Sequence, residues 1–562
     1  VRNELEAILG PEQLVLGGWQ VETTLDLALQ TQVGCVAAAY AGQLSGRSLN
    51  PAGSGPPCPA RDLLPPVGAA ITGEVAPTVS IVALNPATGA IEALVGEAAT
   101  RPAPIGSLVR PLIHLTALSR GHTAASLVWD VPGADSEEDP HTLQNADGRF
   151  LGPLRLREAM ASGRAVPAAQ ILNWVGVERV LVTARALGLP VERMEVPSDL
   201  SFIEQGVPAT LLELGHAYSA LAHEGALTGA ANVAGSPRPA TVTRILGPAG
   251  EEVYALEAAA QGAIDRGLAS LAADILSDAG ARCPANDCPD LLRILDERPV
   301  AMVGGESATG DSWTLGFTAD RLIGVRVRGN SDGEPVDSAP PWAALMAWSS
   351  AGRPAAGWTP PGGLRRIDVC EVSGLLPSRE ADCRTISEWF VPGTEPASTD
   401  TMVRELAVNR ETGRLATIFT PPQLVERRTY IDYPPEASAW AEEAGIEAPP
   451  AEYDTIRNIP VRSGGAAVLL PDPWSVVGGQ VSVIGSAGGD DFAYFRLAYF
   501  PGLLPEAMQT LVERGESPVE SGELGVWDTT LLEDGLYTLL LSVVRGDGKF
   551  DEVAIPVSVA NE

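Results

Sequence analysis

The order of hydrophobic periodicities predicts an α+β fold with an all-β domain behind it. Three observations carry this expectation: a hairpin pattern near residue 80, a long helical block after it, and a return to strands that ends in short alternating runs. From Thr78, TVSIVALNPATGAIEALVGE reads as two apolar strands with residues 85 to 89 as the turn. Helical spacing dominates from about 107 to 280, in LGPLRLREAMASG, VPAAQILNWVGVERVLVTARALGL and TLLELGHAYSALAHEGAL. Strands return with PVAMVGG, SWTLGFT and RLIGVRVRG, so both ends of the segment are expected to close one sheet. Ahead of this core, residues 1 to 75 read as a short helix, the strand GWQVETTL, the amphipathic helix DLALQTQVGCVAAAY and a Gly/Pro/Ser-rich loop from 44 to 66. Proline and glycine become frequent after Trp358. The expected division is therefore a junction over 1 to 75, the α+β domain over 76 to 357, an irregular extension over 358 to 460, and a β-sandwich of immunoglobulin-like type over 461 to 562. The runs AAVLL, GQVSVIGSA, FAYFRLAYF, GLYTLLLSVV and EVAIPVSV, with turns such as 546 to 548, carry the last assignment.

Composition narrows the function. A net charge of −33 and a pI near 4.5 exclude a nucleic-acid partner, because phosphate binding needs a basic face. No run of 18 apolar residues is present, and VRNELEAILG has neither a signal-peptide pattern nor an initiator methionine. The chain reads as a segment of something longer, with any membrane attachment outside it. Of 38 basic residues only Lys549 is a lysine. Arginine codon bias explains the ratio but not the loss of a lysine needed to shed a proton. Six cysteines form sequence-near pairs: Cys35 with Cys58, Cys283 with Cys288, and Cys370 with Cys383. Disulfides in an oxidising compartment are the first reading, with free thiols and zinc as rivals. No histidine lies near Cys283 and Cys288, and no metal or cofactor is expected.

Five strings in order add a family. LVLGGWQVETTLDLALQTQ, NPATGAIEALVGE, GSLVRPLIHLTALSRGHTAASLVWDVP, QNADGRFLGPLRLREAMASGRAVPA and MVGGESATGDSWTLGFTADRLIGVRVRG together resemble class A penicillin-binding proteins. The tail, with Cys370, Cys383, FVPGTEP and GVWDTTLLEDGLYTL, resembles members of the 1C-type subgroup that carry a C-terminal sandwich. The resemblance implies the transpeptidase fold shared with serine β-lactamases, an antiparallel sheet with a helical subdomain. It also implies acyl transfer by a serine whose proton goes to a lysine at i+3.

The motif positions depart from that pattern. Ser107 stands at the nucleophile, but Arg110 replaces the lysine of S-x-x-K, and a guanidinium does not act as a base at neutral pH. Ser162 begins the S-x-N match, with Arg164 where asparagine is expected. Glu306, Ser307 and Thr309 occupy the K-T-G-T stretch in one register; the other uses 308 to 310, and neither supplies a lysine. An ion pair from Arg110 or Arg164 to Glu306 would fill the former cleft, against the alternative that the three sites drifted independently. His114 lies about 10 Å along the helix from Ser107, out of reach. His216 and His223 read as ordinary helix positions, and Trp313 and Trp342 as packing of the sheet and its covering helix.

The expected function is binding or scaffolding in peptidoglycan assembly, outside the cytoplasm, in a protein anchored to the membrane by a segment beyond this chain. Peptidoglycan or its peptide stem and other cell-wall assembly proteins are the expected partners. Two alternatives stand beside it: an active serine D,D-transpeptidase using Ser107 with a non-standard base, and a structural or adhesive surface protein.

Overall fold

A computed structural model describes residues 1–47, 57–67, 76–133, 143–193, 195–231, 236–283, 300–307, 309–329, 336–352, 363–379, 382–455, 459–505 and 507–561. The chain forms two compact units. The first comprises Val1–Ser378, Cys383–Asp400 and Pro434–Ala444; the second comprises Arg379–Asp382, Thr401–Tyr433 and Gly445–Glu562.

The first unit is built on a five-stranded antiparallel sheet of Ala301–Glu306, Asp311–Phe317, Leu322–Arg328, Thr78–Asn85 and Ala90–Val95, in that spatial order. Its two halves join where Val325 faces Ile81 and Val327 faces Val79, so strands more than 200 residues apart in sequence are neighbours. Both faces are covered, which is why Thr78–Asn85 and Leu322–Arg328 are mostly apolar on both faces rather than alternating. On one face lies helix Leu211–Ala222, whose Gly215 brings its backbone close to Leu84 and Leu322. The remaining helices of the 107 to 280 block pack beyond it in one large core. On the other face lie helices Leu27–Leu44 and Ala339–Ser350. Trp342 of the latter fits over Gly316, where an added Cβ would come within 2.1 Å of the indole. Trp313 and Trp342 are both fully buried, as packing residues of sheet and helix.

A disulfide joins Cys35 to Cys58, and another joins Cys370 to Cys383 beside the hairpin Arg365–Cys370 and Thr385–Phe390. Cys283 is also disulfide-bonded, and Cys288 lies outside the described residues. Within the second unit two sheets share one core. A four-stranded sheet contributes Val468, Val483 and Trp527, and a five-stranded sheet contributes Leu497, Leu539 and Ile555. Strands Gln509–Gly515 and Val519–Asp528 were not legible beforehand, because acidic and glycine residues interrupt their alternation.

Candidate functional site

Ser107 sits in the short 3-10 turn Gly106–Val109 that leads into helix Arg110–Ser119. This turn packs on the edge strand Ala301–Glu306 so tightly that only glycines fit on both sides. A Cβ on Gly106 would meet the Glu306 carbonyl at 2.0 Å, and one on Gly305 would meet Ser107 Oγ at 2.0 Å. The Ser107 hydroxyl accepts from the Glu306 N–H at 3.1 Å and donates to the Glu306 carbonyl at 3.4 Å. Its partners are backbone groups alone.

Alternation along the strand fixes where side chains go. Gly305 faces Ser107, so Val303 shares that face and joins the core around the serine turn. Glu306 falls on the opposite face with Gly304, across from Ser312 and Thr314, whose hydroxyls bond Ser338 at the covering helix. The Glu306 backbone touches Ser107, its side chain lies on the strand face shared with Ser312 and Thr314, and Glu306, Ser312 and Thr314 line the same cavity as Ser107. Ser307 and Thr309 form the turn that follows, their hydroxyls 2.8 Å apart, with Gly310 at φ 75° closing it.

The expected ion pair to Glu306 is absent. Arg110 Nη1 donates to the Gly163 carbonyl at 2.6 Å and pairs with no carboxylate among the described residues. Burial lowers its guanidinium to about 10, with Glu204 acting in the opposite sense from a distance. Arg164 instead holds Asp130, a wholly buried carboxylate, through Nε at 2.5 Å, and Asp147 through both terminal nitrogens at 3.0 and 3.1 Å. Asn145 completes this cluster. Its amide nitrogen donates to Asp130 at 2.6 Å and its oxygen accepts from Ala165 N at 3.0 Å, capping helix Ala165–Val175. The physical reason is reach: Arg110 and Arg164 each hold another acceptor, the Gly163 carbonyl and Asp130. Ser162, at the end of helix Leu156–Ser162, turns its hydroxyl back to the Glu158 carbonyl at 2.6 Å.

His114 is fully buried, and its Nδ1 lies 2.7 Å from the Arg110 carbonyl, so Nδ1 carries the proton and donates. Burial and the Arg110 charge bring it down to about 4, against the opposing effect of that hydrogen bond. His216 is buried against the Thr228 carbonyl at 2.8 Å, and His223 ends its helix.

A cavity of about 560 Å³ lies beside Ser107 and the edge strand, and a second of about 300 Å³ beside Arg110 and Arg164. Both are bounded by Ser162, Gly163, Cys283 and Arg282. Sequence reasoning missed Arg282, Asp130 and Asn145. Asp130 left a signal, a lone acid in the apolar run LVWDV, since a carboxylate in such a run is buried only with a partner. Arg282 left none. Among the described residues no cluster suited to a metal ion occurs, and no helix is long and apolar enough to cross a membrane.

Comparison with known proteins supplies the context. The family "Penicillin-binding protein 1A, C-terminal domain" matches residues 360–405. The chain is 24% identical over 403 residues to penicillin-binding protein 1A of Clostridium botulinum, covering 65% of this chain and 46% of that one. It is 26% identical over 306 residues to penicillin-binding protein 1C of Escherichia coli, covering 52% and 36%. The chain thus spans less than half the length of these curated relatives. Penicillin-binding protein 1A from Haemophilus influenzae superposes with a TM-score of 0.57 at 19% identity, over 71% of this chain and 76% of that one. PonA1 from Mycobacterium tuberculosis gives 0.50 at 16%, over 68% and 96%. The shared fold is the penicillin-binding transpeptidase fold.

Proposed function

We propose that this chain, which belongs to the class A penicillin-binding protein family, serves peptidoglycan assembly by binding or scaffolding, with a transpeptidase-like cleft that performs no acyl transfer. The single observation that carries this is the setting of Ser107: its hydroxyl meets only the Glu306 backbone, and the residue at i+3 is an arginine turned to the Gly163 carbonyl. A serine attacks only when a neighbouring base takes its proton. At neutral pH a guanidinium at about 10 stays protonated, so Arg110 supplies no base even with its burial. The strand residue that faces Ser107 is Gly305, which carries no side chain and so supplies no base either.

The edge strand supports the same reading. Alternation of outward backbone groups puts those of Met302, Gly304 and Glu306 toward the cleft. Ser107 occupies those of Glu306, and Arg282 lies 3.5 Å from the Met302 carbonyl. A peptide pairing along this edge meets the Glu306 groups and the Met302 carbonyl already engaged. The partners that fit are peptidoglycan or its peptide stem and other wall-assembly proteins. The disulfides suit an extracytoplasmic location, with membrane attachment through a segment outside this chain.

Labelling with a fluorescent penicillin, followed by mass spectrometry of the intact chain, tests the proposal. No adduct is expected at saturating reagent. An adduct that disappears in Ser107→Ala overturns it and establishes an active acyl-transfer site.

A further inference from the structure

We propose that the seam between the two cavities, bounded by Ser162, Gly163 and Arg282, is a binding site for a small organic anion, whose carboxylate is held by the guanidinium groups of Arg110 and Arg282. This deepens the binding role proposed above and rests on it for the identity of the ligand as a peptide, though not for its charge.

The protein's other well-buried arginines have carboxylate partners. Arg157 binds Glu388 at 2.6 Å and Asp274 at 2.7 Å, Arg321 binds Glu92 at 2.9 Å, and Arg326 binds Asp311. Arg164 is neutralised by Asp130 and Asp147. Arg110 and Arg282 break this rule. Arg110 is held by the Gly163 carbonyl, and Arg282 donates to the carbonyls of Leu276 and Met302. In each the buried Nε has no hydrogen-bond partner. The acids nearest in influence, Glu204 and Asp278, act only through space, and Asp278 is already engaged by Arg157 at 3.2 Å. Burial brings both guanidinium groups down to about 10.

Carboxylates are abundant in a chain of net charge −33, so the missing partners are a local property of this seam. Uncompensated buried charge is costly, and an anion arriving from solvent recovers that cost on binding. The planar guanidinium matches a carboxylate through paired N–H donors. A cavity of about 300 Å³ accommodates the end of a short peptide or a comparable small acid.

The test is isothermal titration calorimetry on the full chain with three probes: acetylated dialanine with a free carboxylate, in L and D forms; the same peptides as C-terminal amides; and inorganic phosphate. The free acid is expected to bind about tenfold or more tightly than the amide, as a charge-assisted pair requires. Arg282→Gln is expected to abolish that difference, and Arg282→Lys to retain part of it. Circular dichroism and melting establish that each variant folds, with Arg110→Gln taking the place of any that does not. Acid and amide binding equally, unchanged in Arg282→Gln, overturns the anion site and leaves the peptide-binding role standing. Phosphate binding that is lost in Arg282→Gln, with no peptide bound, supports the anion site and removes the peptide role. Failure of the acids, the amides and phosphate alike overturns the inference.

Discussion

Arg110 and Arg164 flank the same glycine, Gly163, and live under opposite electrostatics. Arg164 is enclosed with Asp130, Asp147 and Asn145, and its donors are matched by carboxylate and carbonyl acceptors. Arg110 is partly buried and has a carbonyl instead of a carboxylate and an idle Nε. The difference shows two arginines beside one glycine serving different ends: one is built into the fold, and the other stands beside the cavity with its charge unmatched.

The contrast can be broken most forcefully at Arg164. Arg164→Ala leaves Asp130 buried and unpaired, and is expected to cost about 3–5 kcal/mol in urea unfolding. Adding Asp130→Asn should recover part of that loss. The next effect is on pH. His114 has its folded value lowered to about 4, so the unfolded chain takes up a proton first as pH falls. Stability from this group is complete above about pH 6.5 and is lost progressively down to about 4, by up to roughly 3 kcal/mol. His114→Leu should flatten that limb of the stability profile relative to the parent. The smallest effects belong to the cleft. Arg110→Met removes an uncompensated buried cation and is expected to stay within about 1 kcal/mol of the parent or exceed it. Ser107→Ala gives up one bridging hydroxyl and is expected to cost at most about 1 kcal/mol. A loss at Arg110 as large as that at Arg164 would erase the distinction between the two.

Much of the architecture was readable in advance. The hairpin Thr78–Asn85 and Ala90–Val95, and the strands Ala301–Glu306, Asp311–Phe317 and Leu322–Arg328, stood out because doubly covered strands leave long apolar runs. Site chemistry was readable only as composition. That Arg110 occupies i+3 from Ser107 is a property of the string. Which acceptor Arg110 chooses depends on Gly163, 53 residues away. Arg282 reaches the cleft from a four-residue helix, Ala279–Arg282, with nothing around it in sequence to mark it.

By itself the sequence determined the order of strands and helices and the absence of a lysine beside Ser107, since periodicity and residue identity are local. Only the tertiary structure decided that Ser107 bonds the Glu306 backbone, that Arg164 belongs to Asp130, and that Arg110 and Arg282 share a cavity wall. A strand's two faces are equivalent until packing chooses between them, and an arginine selects its partner by proximity in space rather than along the chain.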